Sequence, residues 1–289
     1  MQKYLILYNP QAGNGRGEEN ALTIQNILPE GSLTFRDMTR IADYREFFSG
    51  LPRDTSVVIC GGDGTLNRFL NDTAGLSLQD DLFYYPGGSG NDFLRDVAQK
   101  GGPGLIRLKE YTGNLPSVAV NGQTYRFLNG IGYGIDGYCC QVGDALRESS
   151  AKKVNYTAIA IKGLLFHYKP TDAVVTVDGQ KHTYKKVWLA PTMNGRYYGG
   201  GMMPTPDQNR LNPDGTVSAM VMYGTGKLKT LAVFPSIFKG EHVRHPEMVE
   251  VLTGHRIQVE FNRPTPLQID GETIPDVTSY AVVGRAARQ

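Results

Sequence analysis

The chain has 289 residues, 40% of them hydrophobic, and 30 Lys and Arg against 28 Asp and Glu give a formal net charge of +2. Such a length favours two domains over one, and the near-neutral balance gives no reason to expect nucleic acid as a partner. Three cysteines, Cys60, Cys139 and Cys140, form no C-x-x-C pair, which argues against a disulfide framework or a structural zinc site and suits a reducing compartment.

Strand and helix signals alternate through the first part. Met1-Gln2-Lys3 runs straight into a strand-like run, Lys3–Tyr8, so no signal peptide is expected. That run leads into the glycine loop Asn9-Pro10-Gln11-Ala12-Gly13-Asn14-Gly15-Arg16-Gly17. Ala21, Ile24, Ile27 and Leu28 recur at helical spacing, and Leu33–Asp37 predicts a second strand. Ile41–Leu51 predicts a helix, with Thr39 placed to be its N-cap. Val57–Cys60 has the short apolar run of a buried strand and ends in Gly61-Gly62-Asp63-Gly64-Thr65. Leu66, Phe69 and Leu70 then take helical spacing, with Asn67 among them. Leu82–Tyr85 predicts another strand, followed by a further glycine loop, Pro86-Gly87-Gly88-Ser89-Gly90-Asn91-Asp92-Phe93. This alternation predicts a Rossmann-like parallel sheet with helices on both faces.

Parallel strands set their C-terminal ends along one edge, where ligands of open α/β sheets bind. Three glycine loops on that edge can surround one polyphosphate with backbone N–H groups, helped by a helix start. No Walker A loop is present, and G-x-G-x-x-G is missing from the first strand-to-helix turn. A P-loop NTPase and an ordinary dinucleotide-binding dehydrogenase therefore both fit poorly.

The pattern changes near residues 110–125, giving expected domains of 1–120 and 121–289. Asn121-Gly122 separates Ser117–Val120 from Gln123–Leu128, and Asp178-Gly179 separates Ala173–Val177 from Gln180–Tyr184. Both dipeptides suit type I′ hairpins. With Val187–Ala190, Val217–Tyr223, Ile257–Phe261 and Tyr280–Val283 they predict a mainly antiparallel β-sandwich, whose last strand is free to return to the first domain. Two inserted helices are expected, Lys152–Tyr168 and Leu228–Phe238, the second kinked at Pro235. Their apolar faces pack on the sandwich or line a lipid-accepting surface, with Lys152, Lys153 and Lys162 near lipid phosphates. No uncharged apolar run approaches the roughly 20 residues of a membrane span.

One ordered set of motifs now spans nearly the whole chain. It comprises Asn9-Pro10 with Gly13, Gly15 and Gly17; Gly61–Thr65; Gly87–Asp92; Asn129–Asp136; Asn194 with Gly199-Gly200-Gly201; and Asp270-Gly271-Glu272. This set resembles the catalytic domain of the diacylglycerol kinase family, which includes bacterial lipid kinases and the sphingosine and ceramide kinases. The Gly-Gly-Asp-Gly-Thr element alone is shared with NAD kinases.

The resemblance implies an ATP-dependent lipid kinase with its nucleotide site in the cleft between the domains. It would move the γ-phosphate of Mg2+-bound ATP to a lipid alcohol, diacylglycerol or a related lipid. ATP contacts are expected from Asn9, Gly13, Arg16, Thr39, Gly61, Gly62, Asp63, Gly64, Thr65, Leu66, Asn67, Ser89, Asn91 and Asp92. The family pattern places the general base at Glu272 with Asp270 in support. Asp63 competes for that role, and otherwise braces its loop or holds metal-bound water. Asp136 would face the same cleft. The resemblance also implies a second Mg2+ site at the Leu211 and Thr216 carbonyls and the Asp214 carboxylate; read alone, Pro213-Asp214-Gly215 is a plain turn. Many relatives are more acidic here, whereas this chain has Asp207 and Asp214 separated by Asn209, Arg210, Asn212 and Pro213. The expected location is cytoplasmic, peripheral at the inner membrane surface, and edge strands of the second domain allow a homodimer. An NAD kinase-like enzyme with a soluble substrate and a non-catalytic nucleotide or lipid sensor are the alternatives.

Overall fold

A computed structural model of the chain describes residues 2–28, 31–78, 81–88, 91–98, 104–149, 159 and 162–287. The chain divides into two compact units, Met1–Gly113 and Asn114–Gln289. The division precedes the expected one at 120/121, which would have cut a hairpin of the second unit.

The first unit holds one sheet in the order β2-β1-β3-β4-β5, from β1 (Lys3–Tyr8), β2 (Ser32–Asp37), β3 (Thr55–Gly61), β4 (Leu82–Pro86) and β5 (Ile106–Arg107). β1 to β4 are parallel and β5 runs antiparallel to β4. All seven residues of β3 are buried, as a central parallel strand covered on two faces requires. Ile6, Val58 and Cys60 pack on one face with Ala21 and Ile24. Alternation sends the buried Val57 and Ile59 to the other face. The helices are α1 (Ala12–Gly15), α2 (Gly17–Leu22), α3 (Tyr44–Ser49), α4 (Asp63–Asp72), α5 (Asp92–Val97) and α6 (Lys109–Thr112). Asp43 caps α3, accepting from the Arg45 and Glu46 amides. Thr39 is therefore not the cap of that helix. Burial pushes the Cys60 thiol up to about 12, so it behaves as a small apolar filler.

The second unit is antiparallel. Its strands are β6 (Ser117–Val120), β7 (Gln123–Arg126), β8 (Gly130–Tyr133), β9 (Thr171–Val177), β10 (Gln180–Val187), β11 (Thr192–Met193), β12 (Val217–Met222), β13 (Val249–Gly254), β14 (Arg256–Ile269) and β15 (Glu272–Val283). Both expected Asn-Gly and Asp-Gly turns form, with positive φ at both central residues: 48° and 77° at Asn121-Gly122, 48° and 89° at Asp178-Gly179. β14 is the organiser. Its first half pairs β9 and its last residues pair β8, with register shifts between Glu260, Thr265 and Leu267, where Pro264 and Pro266 interrupt the ladder. That change of partner wraps the sheet around one core, in which Tyr133 stacks on Phe261 at 3.9 Å between ring centroids. The last strand, β15, pairs β14 and β6 and stays with the second unit.

Helices cover a second cluster. α7 (Ile135–Ser149) was not expected, because its start lies in a glycine-rich motif, yet Ile135, Tyr138, Cys139 and Val142 carry the helical period. α8 (Lys227–Val233) passes into a 3-10 segment, Phe234–Lys239, with Pro235 at its first turn, as the proline predicted. Most of the expected 152–168 helix, including Lys152 and Lys153, lies outside the described residues; a π-helical turn, Gly163–His167, is present. Among the described residues no helix is long and apolar enough to cross a membrane.

Candidate active site

In the first unit the strand register lines up the three glycine loops. Tyr8 pairs with Cys60 and Gly61 with Pro86, so the loops after β1, β3 and β4 leave one sheet edge side by side. They are then stitched together. The Gly87 amide donates to the Gly61 carbonyl at 2.8 Å, as does the Tyr84 hydroxyl at 2.9 Å. Asn20 Nδ2 donates to the Gly87 carbonyl at 2.7 Å beneath the first loop. Glycine is required where the second and third loops touch: a methyl on Gly88 would come within 2.3 Å of the Gly62 Cα. Gly13, at φ +60°, meets the same limit, since a Cβ there would lie 2.9 Å from the Gly87 carbonyl oxygen.

Asp63 closes the set. Its two oxygens accept the Asp92 amide at 2.7 Å and the Phe93 amide at 2.9 Å, so it caps α5 from the start of α4. The carboxylate thus braces the third loop rather than only its own. Each oxygen keeps a second lone pair. Helix geometry leaves the Asp63, Gly64 and Thr65 amides without intrahelical acceptors, a ready anion cradle on a ten-residue helix.

The other expected contacts divide. Asn9 reaches Thr65 Oγ1 at 3.4 Å and accepts from the Gln11 amide, so it ties the first loop to α4. Asn91, at φ 30°, donates to the Gly88 carbonyl at 3.0 Å and shapes the third loop. Arg16 is exposed on the first loop, and Asp92 is 3% exposed beside Arg95. Thr39 stands past the end of β2 on the same sheet edge, its hydroxyl donating to Asp37 at 2.7 Å. Leu66 and Asn67 are engaged within α4. The Leu66 amide already bonds the Gly62 carbonyl at 3.1 Å, and Asn67 is buried and accepts from Asn71. Ser89 lies outside the described residues.

The second unit builds a polar knot under the β14–β15 turn. Asp270, at φ 46°, accepts the Leu128 amide, the Asn129 amide at 2.9 Å and the Gly130 amide at 3.0 Å. Arg210, not among the expected site residues, donates to the Leu128 carbonyl at 3.2 Å and to Asn129 Oδ1 at 2.9 Å. Asn194 Nδ2 also bonds the Leu128 carbonyl, at 2.9 Å. Three amides on one carboxylate make it an anchor, so Asp270 holds the start of β8 and the two residues before it. Glu272, two residues on, is exposed, and its side chain makes no hydrogen bond or ion pair among the described residues.

A second chain of bonds reaches the same turn from α7. Gln268 donates to Asp136 Oδ2 at 2.9 Å and accepts the Gly271 amide at 2.7 Å. Burial pushes Asp136 up to about 6 from the ordinary 3.8, with the Gln268 bond opposing. A carboxyl raised in the fold stabilises it while protonated. That gain is complete below 3.8 and is lost as pH rises through about 6. Asp136→Asn cannot ionise, so it should exceed wild type in stability at pH 8, by up to about 3 kcal/mol, and match it near pH 4. Urea unfolding at both pH values checks this; the same difference at each would refute it.

For metal, the loop named by the sequence offers one exposed carboxylate, Asp214. Among the described residues no group of three His, Cys, Asp or Glu is arranged to hold an ion.

Comparison with known proteins agrees with both halves. Residues 3–114 match the family described as Diacylglycerol kinase catalytic domain, and residues 129–286 match YegS C-terminal NAD kinase beta sandwich-like domain. The chain is 26% identical over 286 residues to a diacylglycerol kinase of Bacillus subtilis (strain 168), covering 94% of this chain and 90% of that one. It is 27% identical over 222 residues to a diacylglycerol kinase of Mycobacterium tuberculosis (strain ATCC 25618 / H37Rv), covering 72% and 67%. In fold it is similar to the crystal structure of a diacylglycerol kinase from Bacillus anthracis str. Sterne, with TM-score 0.57, 22% identity, and 98% and 94% of the two chains covered.

Proposed function

The chain belongs to the diacylglycerol kinase family, and from that membership we propose that it moves the γ-phosphoryl group of ATP to the hydroxyl of a lipid alcohol, diacylglycerol or a related lipid. The observation that carries the reading is the Asp63 clasp. It fixes two glycine loops into one rim of amide donors before any ligand arrives. Phosphoryl transfer asks a protein mainly for positioning and charge stabilisation, and preset amides supply both.

Mg2+ would come with the triphosphate and keep several of its waters. The second lone pairs of the Asp63 oxygens suit that role, since a water-coated ion needs acceptors beside the amide rim. The ion would offset phosphate charge. Glu272 is assigned as the base that receives the acceptor hydroxyl's proton, because its carboxylate is exposed, whereas Asp63 braces the third loop and would face the metal's waters and Asp270 anchors three amides.

One feature supports a lipid acceptor over a soluble nucleotide. Phe166 and Leu228 are 72% and 81% exposed, on elements that touch, with Lys162 and Lys227 on the same two elements. Apolar tips with basic neighbours suit contact with an anionic bilayer from the cytoplasmic side.

The test is a panel of lipid alcohols and NAD, each offered with Mg-ATP and read by mass spectrometry. Phosphorylated lipid in the organic extract is the expected result. NADP as sole product would replace this reading with the NAD kinase-like one, and no product from any acceptor would leave a nucleotide or lipid sensor.

A further inference from the structure

The family resemblance implies a Mg2+ ion at the Leu211 carbonyl, the Asp214 carboxylate and the Thr216 carbonyl. We infer that this chain has replaced that ion with its own amides and the Arg285 guanidinium, so that the 209–216 loop closes without metal. The Thr216 carbonyl accepts Asn212 Nδ2 at 2.9 Å and Gln208 Nε2 at 3.0 Å. Two donors use both lone pairs of a carbonyl oxygen, and none is left for a cation.

The rest of the loop repeats the pattern. Asn212 Oδ1 accepts the Gly215 amide at 2.6 Å and the Thr216 amide at 3.0 Å, while its Nδ2 also donates to the Asn209 carbonyl at 2.8 Å. One side chain thus staples both ends of the turn. Arg285 donates through its guanidinium to the Asn212 carbonyl at 2.8 Å and through its amide to the Gly215 carbonyl at 2.8 Å. The carbonyls of Asn209, Asn212, Gly215 and Thr216 are therefore all met by protein N–H groups.

Charge points the same way. Arg285, 4% exposed, sets its guanidinium on the Asn212 carbonyl. A buried positive group on the loop opposes a divalent ion, and Asp214, exposed at the tip, is the single carboxylate within 209–216 to answer it. An amide at position 212 does the work here that acidic neighbours and an ion do elsewhere.

The inference is tested by thermal melting of the whole chain without nucleotide, in EDTA and in millimolar MgCl2, for wild type and Asp214→Asn. The two proteins should respond to Mg2+ alike. A Mg2+-dependent rise in wild type that Asp214→Asn abolishes would overturn the proposal. Asn212→Ala should melt lower by roughly 5 °C, equally in EDTA and in MgCl2. Melting unchanged by that substitution would remove Asn212 as the staple.

Discussion

Glu272→Gln should lower turnover by about 10³-fold while leaving ATP binding within about twofold. The substitution keeps size and polarity and removes only the ability to take a proton. It should also leave stability alone, because the Glu272 side chain is exposed and makes no hydrogen bond among the described residues. Asp63→Asn provides the contrast. Its new NH2 would face one of the two amides that Asp63 now accepts, so the clasp opens and the glycine loops loosen. ATP affinity and melting temperature should both drop there, which a lost proton acceptor alone does not produce. Initial rates at saturating ATP, paired with nucleotide titrations, separate the two. Near-wild-type turnover in Glu272→Gln would take the base role from Glu272; turnover lost in Asp63→Asn with unchanged ATP affinity and melting would give it to Asp63.

The sequence displayed the rim and hid its fasteners. Gly61-Gly62-Asp63-Gly64-Thr65 after an apolar run announces a strand, a tight loop and a helix, because each of those needs only neighbours in the chain. The Asn-Gly and Asp-Gly hairpins were legible for the same reason. Asp63 bonding residues 92 and 93, Asp270 bonding residues 128–130, and Arg210 bonding residues 128 and 129 are contacts between distant segments. No local spacing encodes them, so Asp270 read as a helper of catalysis and Arg210 as an interruption of an acidic loop. β8, as Gly130-Ile131-Gly132-Tyr133, was hidden by glycines that local propensity assigns to loops. The glycines are there because bulk would collide: a Cβ on Gly132 would overlap the Asp136 carboxylate, and one on Gly130 would meet Met193. β14 looked like a strand ending at Phe261 because Pro264 and Pro266 break the ladder, yet the strand continues past them to Ile269 with a new partner.

Asp270→Ala should be the most damaging single change to stability, at about 4 kcal/mol in urea unfolding. Three amides lose one charged acceptor, and the site is 8% exposed, so water replaces it poorly. Part of any loss would come from backbone, because alanine at φ 46° costs about 1 kcal/mol where glycine costs almost nothing. Asp270→Gly isolates the carboxylate: it should remain about 3 kcal/mol below wild type. If Asp270→Gly restores full stability, the three amides do not depend on the carboxylate and the anchor role fails. The same pair bears on catalysis. Asp270 and Gln268 hold the turn from two sides, through the amides of residues 128–130 and of Gly271, and Glu272 is the next residue out. Losing the anchor should therefore lower kcat by spoiling where Glu272 points, to a degree that follows the stability loss across the two variants. A base removed outright shows no such proportionality, which is why Glu272→Gln should be inactive while fully folded and Asp270→Gly should be slow in proportion to how far it has loosened.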